Sequence, residues 1–267
     1  MIKAIVAGAA GRMGQRIIDM IIKSGEIDLA GAFEHPDHPA VGEDAGQTSG
    51  IGMTGVKIAG SIKDVIDSGD VVIDFTSPQA TLENIRTISS SGLAMVIGTT
   101  GISGDILMEI ETLAKNIRCV LAPNMSIGVN VMFRITGEMA RILGDDYDIE
   151  VLEAHHRHKK DAPSGTAMKL GQILADSVNR DIDKVAVYER KGIIGERTDQ
   201  EIGIQTLRAG DITGDHMVMF AGNGERLELI HRAHNRDNFA GGAVKAAAWI
   251  VRQPVGTYDM QDVLGLK

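Results

Sequence analysis

Lys3-Ala-Ile-Val-Ala-Gly8-Ala-Ala-Gly11-Arg-Met-Gly14 opens the chain with a short apolar run that ends in three evenly spaced glycines. An apolar run of this length that stops at glycine reads as a buried strand. Beyond it Met13, Ile17, Met20 and Ile21 recur at helical spacing, with Ile18 and Ile22 widening the stripe. Residues 29–33 give a second strand pattern, and Glu34 closes it twenty positions after Gly14. Strand, glycine turn, helix, strand and terminal acid make the dinucleotide-binding arrangement. The glycines allow a tight turn and close approach of a pyrophosphate to the helix N-terminus, and the acid accepts from a ribose hydroxyl. The spacing is GxxGxxG, because Ala10 stands where the second glycine often lies. In register with both strands, the helix and the acid, the turn favours nucleotide binding over glycines that only ease helix–strand packing.

Outward from this unit the alternation continues. Residues 35–60 form a long connection rich in Gly, His, Pro and Asp, of the kind that is functional or mobile in compact domains. Ser61 is placed to cap a short helix, residues 71–75 read as a strand, and Ser77-Pro78 starts a helix with proline at its first position. Residues 93–97 form a strand running into Gly98-Thr99-Thr100-Gly101, residues 105–116 a helix, and residues 118–122 a strand before Pro123-Asn124. Strands alternating with helices predict an α/β, doubly wound parallel sheet, with ligands at the carboxyl ends of its strands. Gly8, Glu34, Thr76, Gly98 and Ala122 end strands in this reading and are expected to line one crevice.

From about Asn130 the pattern changes to helix 130–143 and then strands at 148–153, 184–189, 202–209, 216–221 and 226–231, with an Asn223-Gly224 hairpin signal. This predicts an α+β domain with an antiparallel or mixed sheet. The Ala-rich helix at 239–251 is expected to return to the first domain.

Glu153-Ala-His-His-Arg-His-Lys-Lys-Asp-Ala-Pro-Ser-Gly-Thr166 places His155, His156 and His158 beside Arg157, Lys159 and Lys160 in a chain of formal net charge −9. Such an island attracts an anion locally. Ser164 is a plausible N-cap, and Gly165 and Thr166 then open a helix whose first amides face a carboxylate or phosphate. The alternative is a solvated surface run. A zinc site on the histidines is weaker, since adjacent strand residues point to opposite faces and no second cluster has ligand spacing.

At 267 residues, with 43% hydrophobic and 24% charged residues, the chain has room for two ordinary globular domains. No apolar run is long enough to span a membrane. The start enters a strand pattern rather than a secretory leader, and Cys119 lies in an apolar run, so a cytoplasmic, reducing location is expected. Acidic balance and 3% aromatics argue against a nucleic-acid partner.

These residues together resemble the 4-hydroxy-tetrahydrodipicolinate reductase (dihydrodipicolinate reductase) family of the bacterial lysine pathway, over essentially the whole chain. The resemblance rests on residues 8–14, Asp74-Phe75-Thr76, residues 96–101 and 124–130, Arg208-Ala209-Gly210-Asp211-Ile212 and Gly224-Glu225-Arg226-Leu227-Glu228, and above all on residues 153–166. It implies reduction of 4-hydroxy-tetrahydrodipicolinate, a small dicarboxylate, to tetrahydrodipicolinate with loss of water, using NADH or NADPH and no metal. It also implies a dinucleotide-binding domain of residues 1–126 and 236–267, with residues 127–235 between them binding substrate and forming a homotetramer. His155 and Lys159 match the family's acid/base and proton-donor positions, and His156, Gly165 and Thr166 match substrate-binding positions, beside Ser164. Gly8, Ala9, Ala10, Gly11, Arg12, Met13, Glu34, Gly98, Thr99, Thr100, Ala122, Pro123, Asn124 and Met125 match nucleotide-contacting segments. The chain departs from many relatives in having His35, not arginine, after the ribose-binding acid, and Ser77 where relatives carry arginine. Both changes remove positive charge that a 2′-phosphate would use, which leans towards NADH or dual use. Two other readings compete. One is another two-domain nicotinamide dehydrogenase acting on a small amino-acid-like carboxylate, and the other is a non-catalytic nucleotide-sensing module.

Overall fold

The computed structural model describes all 267 residues. The chain runs β1 (Ile2–Ala7), α1 (Arg12–Ser24), β2 (Ile27–Phe33), α2 (Ala45–Thr48), β3 (Ile58–Ala59), β4 (Val71–Asp74), α3 (Pro78–Ile88), β5 (Ala94–Ile97), α4 (Gly104–Ala114) and β6 (Arg118–Leu121). It continues through α5 (Ile127–Leu143), β7 (Asp148–His155), α6 (Gly165–Ser177), α7 (Ile182–Val185), β8 (Ala186–Val187), β9 (Ile202–Arg208), β10 (Gly214–Gly222) and β11 (Glu225–Ala233). Last come α8 (Asp237–Ile250), β12 (Gly256–Tyr258) and α9 (Met260–Val263). Two compact units result, one of Met1–Ile127 with Arg236–Lys267 and the other of Gly128–Asn235.

In the first unit seven strands form a parallel sheet in the order β12-β6-β5-β4-β1-β2-β3. The chain leaves β1 for β2 on one side and resumes at β4 on the other, the doubly wound switch point that the alternation predicts. Successive residues of β1 feed opposite faces, as the strand period of two requires. Ala4 and Val6 pack with Ile17, Ile18 and Ile21 of α1 and Ala243, Ala247 and Ile250 of α8. Ile5 and Ala7 pack with Leu82, Ile85 and Ile88 of α3 and Ile110 and Ala114 of α4. Both faces are therefore covered, which is why the strands read as unbroken apolar runs. Arg16 of α1 meets Asp237 of α8 at 2.6 Å, tying α8 to the same face.

In the second unit the sheet order is β11-β10-β7-β9-β8, with β7, β9 and β8 parallel and β10 and β11 antiparallel. Ile149, Val151, Ile202, Ile204, Val218 and Phe220 form its core with α5 and α6. Gly224, with φ +87°, makes the β10–β11 turn where the Asn-Gly signal places it.

Three expectations are revised. The strand at 184–189 is mostly absent: Asp181 caps the single turn α7, and only Ala186–Val187 pair with β9. The connection 35–60 is organised around one carboxylate. Asp44 accepts the N–H groups of Gly46, Gln47, Thr54 and Gly55, and β3 within the same stretch pairs with β2. The Thr54 amide leads the donors that hold the Asp44 carboxyl down to about 2 against the opposing effect of burial. The seventh strand, β12, has no counterpart in the sequence reading.

Candidate active site

The carboxyl edge of the first unit's sheet is a row of mutually fixed groups. Gly8, at φ +62°, turns the chain out of β1, and a Cβ there would lie 2.9 Å from Thr76 Cγ2. A Cβ on Gly14 would stand 2.1 Å from the Gly8 carbonyl oxygen, so α1 can pack this close only without a side chain. Gly11 supplies no side-chain cap, which leaves the first turn of α1 facing outward at its positive end. Ala10 N–H donates to Glu34 Oε1 at 3.0 Å, and His35 N–H to Glu34 Oε2 at 3.2 Å. Glu34 thus stands across the mouth of the glycine turn with lone pairs left for hydroxyls.

Beside it, Asp74 is fully buried at the end of β4. Its Oδ1 gathers the Thr76 N–H and the hydroxyls of Thr76, Thr81 and Thr99 within 2.6–3.2 Å, and Oδ2 takes the Asn84 amide at 2.8 Å. This set of neutral donors around one carboxylate locks Thr76 to Thr99 and so fixes the 98–100 segment. Ala122 N–H donates to the Ile97 carbonyl. Met125 is held against α8 because Gly242 has no side chain: a Cβ there would be 1.8 Å from the Met125 carbonyl oxygen. The nucleotide candidates Gly8, Ala9, Ala10, Gly11, Arg12, Met13, Glu34, Gly98, Thr99, Thr100, Ala122, Pro123, Asn124 and Met125 therefore all lie along one edge, after β1, β2, β5 and β6.

The second unit holds a different construction. Glu153 and His155 lie two apart on β7 and so face the same side. His155 Nδ1 sits 2.6 Å from Glu153 Oε2. Arg208, paired opposite His155 on β9, forks onto Glu153 with both contacts at 2.8 Å. Ser164 N–H donates to Glu153 Oε1 at 2.9 Å, and the Ser164 hydroxyl caps Ala167 N–H at the start of α6, as its sequence position predicts. Open space lies over Gly165, the first residue of that helix. The Lys159 ammonium pairs with Asp161 at 2.9 Å, and Arg208 also donates to the Asp161 carbonyl at 2.6 Å.

Burial alone would raise the Glu153 carboxyl, but Arg208, His155 and the Ser164 amide together hold it at about 2. Burial lowers His155, with Lys159 and Arg208 pushing the same way and Glu153 opposing them. His216, on β10, lies edge-on to His155 at 5.2 Å between ring centroids and contacts Ser164 Oγ at 3.1 Å. Burial, then the neighbouring His155, brings it down to about 3, so it is neutral at physiological pH. His156 Nδ1, Arg208 Nε and His216 Nδ1 are buried without a hydrogen-bond partner. Buried polar atoms of that kind point to a ligand or solvent that completes them.

Sequence reasoning did not reach Glu153, Arg208 and His216 as site residues. Glu153 carried a usable signal, its two-residue offset from His155 on a strand. Arg208 appeared only within the 208–212 motif, with no role attached, and His216 carried no signal; the pairing of β7 with β9 and β10 brings both in.

Two family models match the chain: dihydrodipicolinate reductase, N-terminus, over residues 2–125, and dihydrodipicolinate reductase, C-terminus, over residues 128–264. The 4-hydroxy-tetrahydrodipicolinate reductases of Syntrophobacter fumaroxidans and Syntrophus aciditrophicus are each 55% identical over 267 residues, covering 100% of both chains. Among solved structures, a dipicolinate-bound dihydrodipicolinate reductase from a Paenisporosarcina species superposes with TM-score 0.76 at 25% identity, covering 98% of each chain.

Proposed function

We propose that this chain, which belongs to the dihydrodipicolinate reductase family, reduces 4-hydroxy-tetrahydrodipicolinate to tetrahydrodipicolinate with loss of water. The supporting observation is the Glu153–His155 dyad set beside Lys159 and the Ser164-capped start of α6. The substrate is a dicarboxylate. The positive end of α6 at Gly165 and Thr166 suits one of its carboxylates, and His156 is assigned to the same substrate.

The first unit's glycine turn, uncapped helix start and Glu34 fit a dinucleotide, with Glu34 taking ribose hydroxyls and the 98–100 and 122–125 segments completing the edge. Bound NADH or NADPH supplies the hydride. Glu34 is followed by His35, whose Nδ1 accepts the Asp37 N–H at 3.3 Å and lies 3.8 Å from the Asp37 carboxylate. That carboxylate opposes a 2′-phosphate, so NADH is preferred or both are used.

Loss of water breaks the C4–oxygen bond and a neighbouring ring C–H bond, so the proton put on the leaving oxygen is matched by one taken from carbon. Hydride arrival at the conjugated ring then leaves negative charge that takes up one further proton. His155 and the Lys159 ammonium are the groups that exchange and donate these protons. Arg157 and Lys160 add to the local attraction for the doubly charged substrate.

Residues 1–126 and 236–267 serve the nucleotide in this account, and residues 127–235 serve the substrate and assembly. On the sheet face away from α5 and α6, Ile230, Met217 and Leu152 form a row across paired strands, with Leu207 on the same face. Ile230, Leu152 and Leu207 are 41%, 36% and 55% exposed, an apolar face suited to further copies of this chain in a homotetramer. No helix is long and apolar enough to cross a membrane, and the Cys119 thiol is buried and pushed up to about 12, so it is inert. Both fit a cytoplasmic enzyme.

The test is oxidation of NADH and NADPH with freshly generated 4-hydroxy-tetrahydrodipicolinate. Rapid oxidation with NADH at least equal to NADPH is expected; tight NADH binding without oxidation would reject the substrate assignment.

A further inference from the structure

We propose that Glu153 is the positioning residue of this site: it holds His155 as the Nδ1–H tautomer with Nε2 reserved for substrate, and through Arg208 it fixes the loop carrying Lys159. This rests on the assignment of His155 and Lys159 above.

An ionised carboxylate only accepts hydrogen bonds. At 2.6 Å from Glu153 Oε2, the His155 Nδ1 must therefore carry the hydrogen. The exchangeable proton is left on Nε2, present in the imidazolium and absent in the neutral ring. Nε2 faces Gly214, where a Cβ would stand 3.1 Å away, so glycine at that position keeps the working edge of the ring clear.

Five donors converge on Glu153: His155 Nδ1, the Ser164 amide, two Arg208 nitrogens and the Thr206 hydroxyl at 3.2 Å. One carboxylate thereby joins the acid/base ring to the start of α6. Arg208 extends the link to the Asp161 carbonyl, and the Asp161 side chain holds Lys159. The charged and titratable groups facing His155 come from every neighbouring element: Glu153 on its own strand, Lys159 on the loop, Arg208 on β9 and His216 on β10. Glu153 favours the imidazolium, whereas Lys159 and Arg208 oppose it. Removing Glu153 or Arg208 should therefore move His155 in opposite directions. What separates positioning from the field of a neighbouring ion pair is the fixed tautomer, which only the direct bond to Nδ1 imposes.

The experiment is ¹⁵N-histidine NMR titration of the full chain as wild type, Glu153→Gln and Arg208→Gln, with kcat and KM across pH for each. Wild-type His155 should show a protonated Nδ1 and a bare Nε2 when neutral. Glu153→Gln should lose that fixed tautomer, lower the His155 midpoint, and reduce kcat by roughly 10²–10⁴-fold with little change in KM for NADH. Arg208→Gln should keep the tautomer and raise the midpoint. A neutral wild-type ring carrying its proton on Nε2, or both variants shifting His155 the same way or not at all, would overturn the proposal. If the chain does not reduce the substrate, the NMR readout still decides the role of Glu153.

Discussion

Two buried carboxylates, Asp74 in the first unit and Glu153 in the second, are each surrounded by donors, yet they do different work. Asp74 is held by threonine hydroxyls, one amide N–H and Asn84, all neutral. It fixes the shape of a strand edge by tying Thr76 to Thr99. Glu153 is held by a guanidinium and an imidazole, and it sets both the geometry and the protonation of the group it touches. A nucleotide needs a shaped edge and a helix end, which backbone and neutral donors provide. Proton transfer needs a charge that biases a titrating ring.

The difference between the two carboxylates is largest at Arg208. Arg208→Ala leaves an anion in a site where the Glu153 side chain has no solvent exposure, and it should destabilise the second unit by on the order of 3–5 kcal/mol. Denaturant unfolding would measure it, and a loss below about 1 kcal/mol would mean that Glu153 is not held as a charge. Asp74→Ala removes only bonds from neutral donors and breaks no ion pair. It should be milder, because the Thr76 amide and the Thr76, Thr81 and Thr99 hydroxyls keep bonds to one another and chiefly the Asn84 amide loses its partner; the cost should be about 1–3 kcal/mol, with weaker NADH binding as the 98–100 segment loosens. Unchanged NADH affinity by calorimetric titration would sever Asp74 from the nucleotide edge.

A smaller effect is pH. Glu153 is held at about 2, below its ordinary 4.5, so the folded state binds this proton less readily than the unfolded chain. The stability it contributes is complete above about pH 4.5 and is lost as pH falls towards 2. Unfolding free energy should thus drop more steeply over that range in wild type than in Glu153→Gln, and equal slopes would contradict that sign.

The two units also differ in how plainly their sequences carry them. Gly8, Gly14 and Glu34 are local to one strand–turn–helix–strand unit, so their spacing carries the geometry, and Ser164 announces its helix as a cap. Residues 35–60 hid their order because Asp44 organises them through backbone amides up to eleven residues away. β12 has only three residues and is held by pairing with β6, not by its own pattern. The strand expected at 184–189 fails because Asp181 caps a helical turn in its place. Arg208 reaches Glu153 from 55 residues away, and only strand register makes them neighbours.

The most direct test of this division of labour is to measure turnover and NADH dissociation constants for His155→Ala and Lys159→Ala side by side with wild type. Turnover should fall by roughly 10²–10⁴-fold in each, while NADH affinity stays near the wild-type value. An equal loss of NADH binding in both variants would contradict the account, because the second unit's side chains would then be holding the nucleotide and not performing the proton chemistry.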